Sequence, residues 1–392
     1  MSKNKTFKHL SLFSGCGGMD IGIGGSFTVH KKFIVNQKKH IQENFIPLPK
    51  TKFETIFAND IKKSAKFFWE RNYYNGKKIF HLGSIVDLVK EHKKNGNIFP
   101  KKVDILTGGF PCQDFSVSGL RKGFDSHKSH LNKLDIKSQV ESRGSLYLWM
   151  KEVIGITNPT IFIAENVSGL SNLGNALDVI KDDFKNTSHG YTIFSKKLFA
   201  PDFGIPQSRE RIFIIGVKES YIMENNINLT EEDLFPESEF ASEKNLFSDK
   251  ELHPTSKLFF DNLDEPDSSS DLAQQSYSKA KLTKGQGQIE INEKGLAPTI
   301  RSEHHGNIEY RYKEKKFGGK NITNSKLFQR RLTVRECARI QTFPDELDFV
   351  FNVREKNGVS ASAAYKLIGD AVPPLLAYKI AKKIEKLLLK YP

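Results

Sequence analysis

The chain has 392 residues, 38% hydrophobic and 27% charged, which suits one large α/β domain with a smaller companion. Its formal charge of +14 points first to a polyanion such as DNA or RNA; a membrane surface and a general richness in lysine are the other readings. No apolar run approaches the roughly 20 residues of a membrane helix, the N-terminus carries no secretion pattern, and three scattered cysteines argue against a disulfide framework or a zinc site, so a reducing cytoplasm is expected.

In chain order, strand-like runs are expected at 9–15, 53–60, 103–110, 160–167, 191–200 and 211–217, with helix-like segments at 61–73 and 146–156. The runs are apolar on both faces, as central strands of a covered sheet are. The alternation implies an α/β fold with a doubly wound, mostly parallel sheet. Ligands of such sheets bind beyond the carboxyl ends of the strands, where the motifs below fall. Residues 218–275 are acidic and polar, and from Lys279 the balance turns basic through Arg330 and Arg331. This predicts a second, irregular domain whose later half faces the polyanion. A helical pattern returns at 332–343, and 375–390 reads as an amphipathic C-terminal helix after the prolines at 373–374.

Four stretches carry chemistry. FSGCGGMDIG (13–22) follows a strand, and its glycines at 15, 17 and 18 allow a tight turn with close approach of a ligand. Asp60, ending the next strand, suits ribose hydroxyls, so a nucleoside cofactor and a plain tight turn both stand. GGFPCQDFSVSG (108–119) places Cys112 just past a strand end, behind a proline that fixes its direction. A thiolate there is a nucleophile; a half-buried inert cysteine is the alternative. AENVSGL (164–170) ends a strand with Glu165, whose pKa burial would raise, as suits a proton donor; a helix N-cap is the plain reading. QSRERIFIIG (207–216) puts Gln207, Arg209 and Arg211 at alternating positions, on one face if extended. They suit phosphate or base contacts, or merely a solvated strand end.

Together the ordered motifs FSGCGG (13–18), GGFPCQDFSVSG (108–119), RGSLY (143–147), ENV (165–167), QSRERIF (207–213), RRLTVRECARIQTFPD (330–345) and GDAVPP (369–374) resemble the DNA cytosine-5 methyltransferase family, of the bacterial restriction-modification type. The resemblance implies an S-adenosylmethionine-dependent methyltransferase fold. It divides the chain into a catalytic and cofactor-binding domain (1–217), a target-recognition domain (218–326) and a bridging segment with the C-terminal helix (327–392). It implies that a cytosine is flipped out of double-stranded DNA and that the Cys112 thiolate adds to carbon 6. Glu165 would serve ring nitrogen 3, Arg209 and Arg211 would hold the base and its phosphate, and Gln207 would complete the catalytic set. S-adenosyl-L-methionine, leaving as S-adenosyl-L-homocysteine, would lie against Phe13, Gly15, Cys16, Gly17, Gly18, Asp60, Ile61, Gly109, Pro111, Leu146, Ala371 and Val372. No metal is expected.

Three departures from the family pattern stand out. Ser84-Ile85 replaces the acid that usually takes the adenine amino group; Asp370 replaces an asparagine and adds negative charge near the cofactor; and 119–143, in the loop expected to close over DNA, is long. In the insert, Thr299-Ile300 matches the short signature of the recognition region. Arg301, His304, Asn307 and Arg311, with Ser116, are the expected DNA contacts; His304 and His305 lack a third ligand for a metal. Arg335 would organise the helix joining the domains. A monomer is expected, partnered genetically with a cognate restriction endonuclease. The related tRNA branch, with its short target region, fits the long insert less well. A dinucleotide-binding oxidoreductase lacks its full fingerprint here, and a non-catalytic member would not need Cys112, Glu165, Gln207 and Arg211.

Overall fold

Six of the apolar runs, joined by one short strand, hydrogen-bond into a seven-stranded sheet in the computed structural model, which describes residues 5–35, 43–111, 146–243, 249–278, 291–302 and 330–392. The strands are β1 (Phe7–Leu12), β2 (Phe53–Asp60), β3 (Phe80–Leu82), β4 (Ile105–Gly109), β5 (Ile161–Val167), β6 (Tyr191–Phe199) and β7 (Glu210–Lys218). Their spatial order is β3-β2-β1-β4-β5-β7-β6. The pairs among β1 to β5 are parallel, and β7 runs antiparallel to both β5 and β6. The start of β7 therefore lies at the same edge as the ends of β1, β2, β4 and β5. That reversal brings the QSRER stretch to the edge where the other motifs end.

Alternate residues of each central strand feed opposite cores, as the period-two geometry of a strand requires. Phe7, Phe53, Ile105, Ile161 and Ile163 enter one cluster; Leu10, Phe57, Leu106, Phe162 and Ala164 enter the other. The first is covered by residues of helices α1 (Gly18–Gly24), α2 (Lys63–Asn72), α6 (Val334–Ile340), α7 (Ala361–Asp370) and α8 (Pro374–Lys390). The second is covered by α3 (Ile85–Asn95), α4 (Leu146–Thr157) and α5 (Ala176–Lys185). A sheet covered on both faces is what the unbroken apolar runs anticipated.

The described part of the 218–326 insert has no separate core. Ile227, Leu234, Phe235, Phe259, Phe260, Ala273, Ile291, Ala297 and Ile300 join the first cluster. Its acidic residues answer cations of the closing helices: Glu239 meets Lys379 at 2.6 Å, and Asp271 meets Arg335 at 2.6 Å. Every residue of α6 is buried, and its Thr333 N-cap forms a capping box with Glu336. Arg330, against the sequence expectation, does not face a polyanion: it is buried with Glu336 at 2.9 Å and Glu265 at 3.1 Å, and Arg331 is buried too. Arg335 does organise this junction, donating also to the Leu347 carbonyl at 2.9 Å. Among the described residues, no helix is long and apolar enough to cross a membrane.

Candidate active site

The loop after β1 turns through left-handed backbone at Phe13 (φ 53°), Gly15 (φ 53°) and Gly17 (φ 74°). Its shape is held by Trp69 of α2 and Tyr73, the C-cap of that helix, whose stacked side chains donate to the carbonyls of Gly15 at 3.1 Å and Cys16 at 2.8 Å. A Cβ on Gly18 would lie 2.3 Å from the Val372 carbonyl, so the loop and the GDAVPP segment touch backbone to backbone. Asp60 joins them from the end of β2. Its Oδ2 accepts from the Gly15 N–H at 2.9 Å and its Oδ1 from the Lys62 N–H at 2.8 Å. Each carboxylate oxygen keeps a further lone pair for a hydroxyl. Ile61, beside it, is 68% exposed, an apolar side chain left open to solvent next to the loop.

Other expected cofactor residues fall differently. The Cys16 thiol is buried, donates to the Leu367 carbonyl at 3.3 Å, and has its pKa driven far up by burial, so only its backbone borders the loop. Ser84 is the N-cap of α3 and Ile85 is buried in the second core. Asp370 does not stand as an added negative charge on its own, because Lys62 Nζ meets its Oδ2 at 2.6 Å. Pro111 is exposed and Leu146 half-buried at the start of α4.

At the neighbouring strand ends, Glu165 pairs in register with Gly109 of β4 and Phe213 of β7. A Cβ on Gly109 would come within 3.0 Å of Glu165 Oε2, so that glycine makes room for the carboxylate. Arg211 reaches from β7 to the neighbouring β5, placing Nε 3.1 Å from Glu165 Oε1. Burial pushes the Glu165 pKa up, opposed by the charges of Arg211 and Arg209. The next residue, Asn166, donates to the Phe110 carbonyl at 3.0 Å. It thus anchors the backbone two residues before Cys112, a role not legible from its type alone. Cys112 and Ser116 lie outside the described residues, as do His304, Asn307 and Arg311.

Gln207 and Arg209 do not share the face of Arg211. The Arg209 side chain is fully buried, with NH1 3.0 Å from the Ile300 carbonyl and NH2 3.2 Å from Gly369 and 2.6 Å from Ala371 carbonyls. Burial and the like charge of Arg211 disfavour its charged form, and its Nε is buried without a hydrogen-bond partner. Gln207 donates to the Ile340 carbonyl at 2.8 Å and accepts from the Ile300 N–H at 3.2 Å. Both side chains clasp the end of the insert to the closing helices. Thr299, hydrogen-bonded to the Ser208 carbonyl, runs alongside them, and Arg301 emerges exposed at the far end.

A parallel sheet extended by an antiparallel pair, with a glycine loop and acid at one set of strand ends and a buried glutamate–arginine pair at the next, defines an α/β transferase of the methyltransferase fold. The family described as C-5 cytosine-specific DNA methylase matches residues 7–386, and the chain belongs to it: it is a C-5 cytosine DNA methyltransferase. It is 30% identical to the Type II methyltransferase M.BsuRI of Bacillus subtilis, over 97% of this chain and 80% of that protein. It is 28% identical to M.NgoPII of Neisseria gonorrhoeae (97% and 96% covered) and 30% identical to M.HhaI of Haemophilus parahaemolyticus (81% and 84%). Among solved structures the fold is similar to the Dnmt2 methyltransferase of S. pombe, with a TM-score of 0.60 at 17% identity, covering 97% of this chain and 99% of that one. A putative DNA modification methyltransferase from an E. coli prophage has a TM-score of 0.59 at 19% identity, with 98% and 100% covered.

Proposed function

We propose that this enzyme methylates carbon 5 of a cytosine within a specific word of double-stranded DNA, using S-adenosyl-L-methionine, and so protects its host's DNA from a cognate restriction endonuclease. The observation that carries the reading is Glu165: a buried carboxyl with a raised pKa, held by Arg211 next to Gly109, three residues before Cys112. Its relatives' common description as Type II methyltransferases supports the protective role.

The cleft residues fit the cofactor. Asp60 has lone pairs for ribose hydroxyls, Ile61 offers an open apolar wall for a base, and the loop at 13–18 meets Ala371 and Val372 closely enough to form a cradle. When bound, S-adenosyl-L-methionine supplies an electrophilic methyl group on a sulfonium sulfur. Cytosine carbon 5 is a poor nucleophile, so the protein must activate it. The Cys112 thiolate adds to carbon 6 of the flipped base, and Glu165 gives a proton or strong hydrogen bond to ring nitrogen 3. The electrons then rest in a neutral enamine with density on carbon 5 rather than in a ring anion. After carbon 5 is methylated, loss of its proton and β-elimination restore the double bond and free Cys112. Arg211 fixes the Glu165 carboxyl and faces the same edge as the base. Arg209 acts one step back, as a positioning residue that holds the 369–371 backbone.

The test supplies tritiated S-adenosyl-L-methionine with duplex DNA and, separately, with tRNA. Label in duplex DNA is expected, and label on tRNA alone or on neither refutes the reading. A duplex carrying 5-fluorocytosine separates out the covalent step, because fluorine cannot leave carbon 5 as a proton does. A stable protein–DNA adduct should form with the native enzyme and not with Cys112→Ser.

A further inference from the structure

Nothing in the chemistry above uses the Lys62 side chain. Its Nζ lies 2.6 Å from Asp370 Oδ2, each side chain 42% exposed, while its own N–H donates to Asp60 Oδ1. The pair therefore joins the strand end carrying Asp60 and Ile61 to the segment that touches Gly18. The charge of the Asp370 carboxylate acts on Glu165 and Arg209 as well as on Cys16 and Lys62. A donor with its nucleoside at Asp60 and Ile61, and its methyl facing a base at Glu165, has its sulfur between those two places. That sulfur is a cationic sulfonium before transfer and a neutral thioether after it. Donor and product are otherwise alike but for the methyl. A fixed charge nearby must therefore act on them unequally.

We infer that the Lys62–Asp370 pair sets how strongly the site prefers the cationic methyl donor over its neutral product, and with it the degree of product inhibition. The inference rests on the assignment of the cleft to S-adenosyl-L-methionine. Asp370 attracts the sulfonium, and Lys62 offsets most of that attraction. For one unit charge at about 8 Å and an effective dielectric of roughly 40, the affinity ratio shifts roughly fivefold.

Isothermal titration calorimetry with S-adenosyl-L-methionine and S-adenosyl-L-homocysteine, each added alone, reads that ratio. Partial loss of folded protein cancels, since both titrations use one preparation. Lys62→Met leaves Asp370 uncompensated and should raise the donor-to-product ratio roughly fivefold. Asp370→Asn removes the nearest countercharge of Lys62, leaving it only the charge of Asp60, and should lower the ratio by a similar or smaller factor. The double variant should return near the native ratio, Lys62→Arg should keep it, and about 0.5 M salt should shrink both single-variant shifts. Equal changes in the two affinities in every variant would make the pair a mere brace between segments and overturn the inference. Native enzyme that binds neither ligand would instead overturn the cofactor assignment on which it rests.

Discussion

At the end proposed for the nucleoside, Asp60 is held by backbone N–H groups and its neighbour Ile61 is left open to solvent. At the end proposed for the base, Glu165 is buried against Arg211, and Arg209 is sealed beneath three backbone carbonyls. The first end is built by chain geometry and close backbone approach. The second is built by setting buried charges against one another, where each depends on its partner because water is excluded. Damage at the two ends should therefore differ in kind: steric and modest at the first, electrostatic and large at the second.

The comparison is tested most severely at Glu165. Glu165→Gln keeps the size of the side chain but removes the transferable proton and the countercharge of Arg211. Methyl transfer at saturating donor should fall about 10²–10⁴-fold, with donor affinity nearly unchanged. Near-native turnover would erase the distinction between the ends. Next in size is Arg209→Met, which strips donors from the carbonyls of Ile300, Gly369 and Ala371. A loss of roughly 3 kcal/mol in urea unfolding is expected, and Arg209→Lys, with the charge but not the fork, should recover only part of it. An unchanged urea midpoint would show that the buried arginine is not structural.

Gly18→Ala probes the nucleoside end. Its new Cβ would press on the Val372 carbonyl, costing about 2 kcal/mol of stability and weakening donor binding, while the transfer rate at saturation holds. A fall in that rate instead would mean that the two ends are not separable. A pH-dependent effect is expected at Asp20, buried on α1. Its Oδ2 accepts from Ser11 at 3.0 Å, its Oδ1 has no hydrogen-bond partner, and burial pushes its pKa up to about 7. A raised carboxyl pKa stabilises the fold below the ordinary value of 3.8, and that contribution is lost as pH climbs through about 7. The stability of the native protein relative to Asp20→Asn should therefore decline across that interval in thermal melts. A pH-independent difference would mean that Asp20 stays ionised and belongs with the compensated charges of the base end.

The central sheet was legible in the sequence because its strands are buried on both faces and read as unbroken apolar runs. β3 and α1 were not: the first is three residues long, and the second contains glycines at 18, 22 and 24. The strand-end positions of Asp60 and Glu165 followed from the runs that precede them. The direction of Arg209 did not. Alternation holds only in extended strand, and β7 begins at Glu210; before it, the Arg209 N–H turns back onto the Gln207 carbonyl at 2.6 Å. Lys62 and Asp370 meet across 308 positions, and no local pattern encodes such a pairing. The acidic stretch after Val217 also read as a separate character of the chain, whereas Glu239 and Asp271 serve as counterions to cations of the closing helices and Glu265 to Arg330 just before them.

The contact between Gly18 and Val372 sets an order of events during synthesis. The loop at 13–18 leaves the ribosome more than three hundred residues ahead of the segment that lies against it. Until that segment arrives, the nascent chain has a sheet edge with one wall of its cleft missing. With the cleft assigned as proposed, a stalled or prematurely ended product would be unable to load a methyl donor, whatever DNA it touched. Only a chain translated through the insert and the closing helices has both walls in place.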